Sequence, residues 1–115
     1  MDSTEWKRCG PFLERALGAW TLEAVEQEIR AGRAQFWPMD HSAVVTQIHT
    51  YPRGKVLRIW LAGGQWDELA HYLPSADAYA RAQGCVAVEV EGRPGWERLL
   101  KGYEKRRVVL VKELT

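Results

Sequence analysis

The chain is poor in the residues that build specialised sites. It has only two cysteines, Cys9 and Cys85, far apart in 115 residues. Two thiols cannot make a disulfide framework or a four-ligand zinc site by themselves, so a reducing cytoplasm is the expected compartment. The three histidines, His41, His49 and His71, have no metal-ligand spacing with one another or with the cysteines, and no metal is expected. No apolar run approaches the ~18 residues of a membrane-spanning helix, and no signal-peptide pattern opens the sequence, so no membrane partner is expected. Charge of either sign is also scarce in the net: sixteen Lys+Arg against fifteen Asp+Glu leave +1. That balance excludes a broad basic surface gripping phosphate backbone, and no nucleic acid is expected as a partner. Internal repeats, low-complexity stretches and long linkers are absent too, which leaves residues 1–115 as a single domain.

What is present is globular. Hydrophobic residues make up 46% and charged residues 27% of the chain, enough to bury a core. Charge is uneven along it: residues 93–115 carry seven Lys/Arg and three Asp/Glu, whereas the first 92 residues are acidic on balance. Six tryptophans, at positions 6, 20, 37, 60, 66 and 96, exceed the usual share. Tryptophan anchors interfaces as well as cores, so a tryptophan-rich surface meeting a protein partner or a second copy is expected.

Periodicity supplies the elements. Asp2-Ser3-Thr4-Glu5 offers an N-cap before Trp6, Cys9, Leu13, Ala16 and Leu17, with Gly10-Pro11 expected to interrupt that helix. Thr21 caps a second helix that stops at Gly32. From Ala34 the period changes to strands, over 34–38, 43–51 and 55–62, joined by turns at 39–42 and 52–54 as an antiparallel meander. Gly63-Gly64 ends the third strand, and helical spacing runs from Trp66 to Gly84 with Pro74 expected to kink or split it. Cys85–Val90 is a strand, Trp96–Lys101 a short helix closed by Gly102, and Arg107–Lys112 a last strand. The order is α-α-β-β-β-α-β-α-β, an α/β (α+β) mixed sheet in which the crossover from 55 to 90 should be right-handed and its two strands parallel.

This order, together with "ADAYARAQGCVAVEV" and "WERLLKGYEKRRVVLVKEL", resembles the GNAT (Gcn5-related N-acetyltransferase) fold without its first strand, over about residues 10–114. Gly102-Tyr103 stands where that family has its Gly-Phe pair. The string "GCVAVEVEGRPGW…LLKGY" is also similar to small acetyltransferase-like proteins of tailed phages and prophages, which would make the chain virion-associated if phage-encoded. The resemblance implies an acetyl-CoA site where two parallel strands diverge, at the carboxyl ends where open α/β sheets place ligands. Leu61, Ala62, Gly63, Gly64, Gln65, Val90 and Arg93 would line it, with pyrophosphate on the amide donors at the start of the long helix. Glu89 and Glu91 are then the candidate bases for an amine substrate and Tyr103 a candidate acid.

Two departures from the family pattern weigh against catalysis. The segment Leu61-Ala62-Gly63-Gly64-Gln65-Trp66-Asp67-Glu68 lacks the family's basic residue and glycine spacing, and puts two carboxylates where pyrophosphate would rest. Arg98 occupies the position of the tyrosine that many family members use to protonate the leaving thiolate, and a guanidinium cannot serve as an acid near neutrality. The favoured expectation is a GNAT-like protein that has lost catalysis and works as an interaction or structural component. The alternative is an acyl-CoA-dependent N-acetyltransferase acting on an amine.

Overall fold

The structure is a computed structural model describing residues 1–92 and 96–114. Helix α1 spans Ser3–Leu13, started by the Asp2 carboxylate, which accepts the Thr4 amide at 2.8 Å. A 3-10 turn, Glu14–Ala16, follows. Helix α2, Leu22–Arg30, begins at Thr21, whose hydroxyl accepts the Ala24 amide at 3.1 Å. Strands β1 (Gln35–Pro38), β2 (Ser42–Tyr51) and β3 (Gly54–Gly64) form the expected antiparallel meander. Helix α3 (Trp66–Ala82) then crosses back, and β4 (Cys85–Val90) pairs parallel to β3. The sheet order is β1-β2-β3-β4.

The sheet separates two apolar layers. Helices α1 and α2 bury Trp6, Cys9, Leu13 and Val25 against Ala43, Val45, Trp60 and Leu61 on one face. Helix α3 buries Leu69, Tyr72, Ala76 and Ala80 against Val44, Leu57 and Ile59 on the other. Strand β3 therefore contributes to both layers, as its nearly unbroken apolar run predicts. Leu13, Leu57 and Leu61 are fully enclosed, each adding about 2 kcal/mol of transfer free energy.

Three sequence-based expectations are corrected. Helix α1 continues through Gly10-Pro11, and α3 is one helix through Pro74. Both prolines are exposed, and so is Lys7, one of the two residues whose carbonyls lose their donor; Ala70, the other, is only half-buried. Water can satisfy those carbonyls, while buried side chains before and after each proline hold the helix to the sheet. The last strand expected over Arg107–Lys112 is not formed: among the described residues no strand follows Val90. Residues 108–111 are apolar, but at 64–90% exposure they are not packed into the core of their own domain. The short helix at the end is reduced to a 3-10 turn, Trp96–Arg98, though Gly102 ends the compact part at φ +83° as expected.

Where α1 crosses β3 the backbones nearly touch. A Cβ on Gly63 would stand 1.7 Å from the carbonyl oxygen of Phe12. Only a residue without a side chain lets the helix settle there. Gly63→Ala should lower unfolding stability by about 3 kcal/mol, read as a lower urea midpoint at unchanged m-value. An unchanged midpoint would show that α1 can shift outward without loss.

Candidate functional site

The strands part where the sequence places the slot. Strand β2 pairs Val45 with Leu61 but Thr46 with Ile59, so Trp60 is an extra residue in β3, a bulge that sharpens the local twist. Pairing with β4 ends at Ile59 and Val90, closed by the Glu91 amide donating to the Ile59 carbonyl at 3.2 Å. Residues 60–64 of β3 continue with no partner on that side among the described residues.

The space between the parted strands is nearly solid. What remains is a cavity of about 10 Å³, walled by Ile59, Ala62, Trp66, Tyr72, Val90 and Trp96 among other apolar groups. One water barely fits such a volume. Trp66 and Trp96 meet edge to face, ring centres 6.0 Å apart, and Leu100 is buried beside them.

Of the seven residues expected to hold a cofactor, the six that the structure describes do not share one space. Ala62 and Val90 do face this space. Leu61 points into the opposite layer under α1. Gly63 lies beneath the Phe12 carbonyl, and Gly64, at φ +121°, lies against the backbone of His41 and Ser42. Gln65 is the N-cap of α3, and its amide donates to the Ser42 hydroxyl at 2.8 Å. Arg93 lies outside the described residues.

The positive end of α3 is answered by its own chain. Asp67 and Glu68 sit in the first turn, where carboxylates complement the helix dipole. Glu68 also accepts the His41 amide at 2.9 Å, and hydrogen bonds from Ser42 and His41 hold its pKa below the ordinary carboxylate value. An incoming pyrophosphate would meet this negative charge.

The two candidate bases do come together, in an ionic cluster on the face opposite α3. Arg58 donates to Glu89 at 2.8 Å and lies 3.6 Å from Glu91, while Arg107 donates to Glu89 at 2.6 Å. Burial acts to raise the Glu89 carboxyl, but Arg58 and then Arg107 outweigh it, and its pKa falls below the usual range. Glu91, 61% exposed, is the more open of the two. His49 stands nearby, stacked on Tyr51, its pKa lowered first by burial and then by Arg58.

Tyr103 lies instead on the α3 side, half-buried, its phenol pushed up by burial and by Asp77. Sequence reasoning missed its neighbour Tyr72, whose hydroxyl is the one buried side-chain polar atom without a partner among the described residues. Burial, then the phenols of Tyr103 and Tyr79, drive its pKa far upward. The available signal was spacing, since Tyr72 and Tyr79 fall on one face of α3 and both pack against Trp37.

No protein-family profile and no curated protein matches this chain. Solved structures do. The Thermus thermophilus protein TTHA1254 is similar as a point mutant, with TM-score 0.67 and 17% identity over 100% of this chain and 94% of that one. Its wild type gives 0.66 and 17% over 99% and 93%. A GNAT family acetyltransferase of Staphylococcus aureus gives 0.62 and 10% over 99% of this chain and 95% of that chain. The fold is GNAT-like, a mixed sheet between one helical layer of α1 and α2 and another of α3.

The Glu89 pairing has a measurable sign. Because its folded-state pKa lies below the ordinary 4.5, the cluster contributes stability above that pH and loses it as the pH falls through the lower folded value. Glu89→Gln should cost about 1–2 kcal/mol at pH 7 and flatten the acid limb of the stability profile below about pH 4.5, followed by circular dichroism. An acid limb as steep as that of the parent would show that Glu89 is not ion-paired in solution.

Proposed function

We propose that this GNAT-like protein does not hold acyl-CoA and acts through protein contacts, as an interaction or structural component. The observation that carries the reading is the filled slot. A pantetheine arm needs an extended channel between the parted strands, and here Trp66, Trp96 and Leu100 leave a cavity of about 10 Å³. Opening it would expose two indole rings to water, each a large apolar burial to forfeit. The carboxylates of Asp67 and Glu68 at the start of α3 add electrostatic opposition to a pyrophosphate. The phage or prophage setting is part of the same proposal and rests on the resemblance of the segment around 84–103 alone.

One observation favours the alternative of an acyl-CoA-dependent N-acetyltransferase. The ring of Tyr72 is part of the cavity wall and its buried hydroxyl has no partner among the described residues, and a buried donor without a partner is a group that a ligand could satisfy once the cavity opens. On that reading Trp96 and Leu100 swing out as a lid, Glu91 takes the amine proton, and Tyr72 or Tyr103 protonates the thiolate.

Calorimetric titration with CoA and acetyl-CoA, paired with thermal unfolding, decides between the two. The expected result is neither heat nor a shift in Tm up to millimolar ligand. Micromolar binding would overturn the first reading, since ligand at ~100 times its Kd would stabilise the fold by about 2.7 kcal/mol.

A further inference from the structure

The sheet ends in an unguarded edge, and the chain ends in an unpaired apolar strand sequence. At the far side, β1 has only four residues and finishes at Pro38, which has no amide to offer, so that edge is protected against additional strands. Strand β4 has six residues, Cys85–Val90, without a proline or lysine. Its single charge, Glu89, is already neutralised by Arg58 and Arg107. Val86, on that strand, is 71% exposed. Among the described residues, β3 is the one strand paired with β4, and no strand lies along its outer edge.

The tail stands beside this edge. Leu100 and Tyr103 pack on the α3 side of the sheet, whereas Arg107 reaches Glu89, whose carboxylate is held by Arg58 on the other side. The chain between them therefore crosses from one face of the sheet to the other at β4, its edge strand. Beyond Arg107 the sequence Val108-Val109-Leu110-Val111 is strongly β-forming, and Val108, Val109, Leu110 and Val111 are 64%, 80%, 90% and 76% exposed. A strand lying along its own β4 would bury alternate side chains, and none of these is buried.

We propose that two copies of this chain associate by exchanging their tails, residues 108–112 of each adding a strand to the outer edge of β4 of the other. The two unsatisfied elements are complementary and occur once per chain, so a reciprocal exchange about a two-fold axis satisfies all four at once and closes. Lengths agree, since residues 107–112 extended cover ~20 Å, the span of β4. Charge agrees as well: the basic start of the tail meets the acidic end of β4, as Arg107 and Glu89 already do within one chain. Backbone bonds supply the affinity, as in strand addition generally. The exchange is independent of whether the slot holds acyl-CoA, and its failure would leave the calorimetric result untouched.

Sedimentation of the full chain from low to high micromolar, with hydrogen exchange measured at each concentration, tests it. The expected result is a monomer–dimer equilibrium in which amides of β4 and of 108–112 become protected together as dimer forms. Val109→Pro, in a segment that the folded domain does not need, removes one ladder donor and should weaken the dimer by roughly tenfold or more while the circular dichroism spectrum is unchanged. Leu110→Lys should do the same by charging the new strand. A chain that stays monomeric at high micromolar overturns the proposal; protection of both segments in that monomer would mean that the tail closes on its own β4. A dimer indifferent to Val109→Pro, or open-ended polymers in place of a closed pair, overturns it as well.

Discussion

Strand β3 is the constraint on which the rest of the molecule depends. It is buried on both faces, it pairs antiparallel on one side and parallel on the other, and its extra residue at Trp60 changes which way its far end faces. The bulge turns Trp60 and Leu61 together toward α1 and α2, which a regular strand cannot do with consecutive residues. Past that point Gly63 and Gly64 carry no side chains, so α1 and the turn before β2 close down on bare backbone. Helix α3 then starts where β3 stops, the amide of its N-cap Gln65 tied to Ser42 of β2. One irregular strand thus sets the seat of α1, the origin of α3 and the parting from β4.

The parting that opens a channel in principle is also a liability in water. Two strands that lose their ladder expose backbone and apolar side chains, and an empty apolar gap forfeits dispersion contacts on every wall. The chain meets that cost with its own groups: Trp66 from the start of α3, Trp96 and Leu100 from the segment after β4. Each indole removes more apolar area from water than an aliphatic chain would. A protein that bound an acyl chain there could leave the filling to the ligand. Here the filling is built in, and the acidic first turn of α3 needs no bound anion to complement its dipole.

Much of this frame was legible in the sequence because it depends on local chemistry. Thr21 and Asp2 as caps, the alternation of β2, the apolar run of β3 and the parallel crossover into β4 all follow from residue types at short spacing. The parting of β3 from β4 near Ala62 and Val90 was an expectation of the GNAT resemblance and not of residue types at short spacing. The exceptions share a physical origin in long-range packing. Pro11 and Pro74 break isolated helices, but buried neighbours such as Cys9, Leu13, Tyr72 and Ala76 hold these two helices together. Arg107–Lys112 has the composition of a strand, yet composition cannot say which edge receives it. Glu89 was legible as a charged residue near the end of β4, but its pairing with Arg58, far off in sequence, and with Arg107 beyond the turn is a product of the fold. The closure by Trp66 and Trp96 is of the same kind, since the long intervening sequence says nothing about ring contact.

Closure of the slot and exposure of the tail both belong to the segment after β4. Trp96 and Leu100 fill the gap on the α3 side, and Tyr103 lies on that side as well. After Tyr103 the chain reaches the other face of the sheet, where Arg107 is fastened to Glu89. What is left of the chain then has too few polar groups to be a solvated tail: four consecutive apolar residues between Arg107 and Lys112 cannot be hydrated without cost, and they lie beside a sheet edge with the same unmet requirement. Trp66, Trp96 and Leu100 close the slot while residues 108–111 stay exposed, and each of the two features stands on its own geometry.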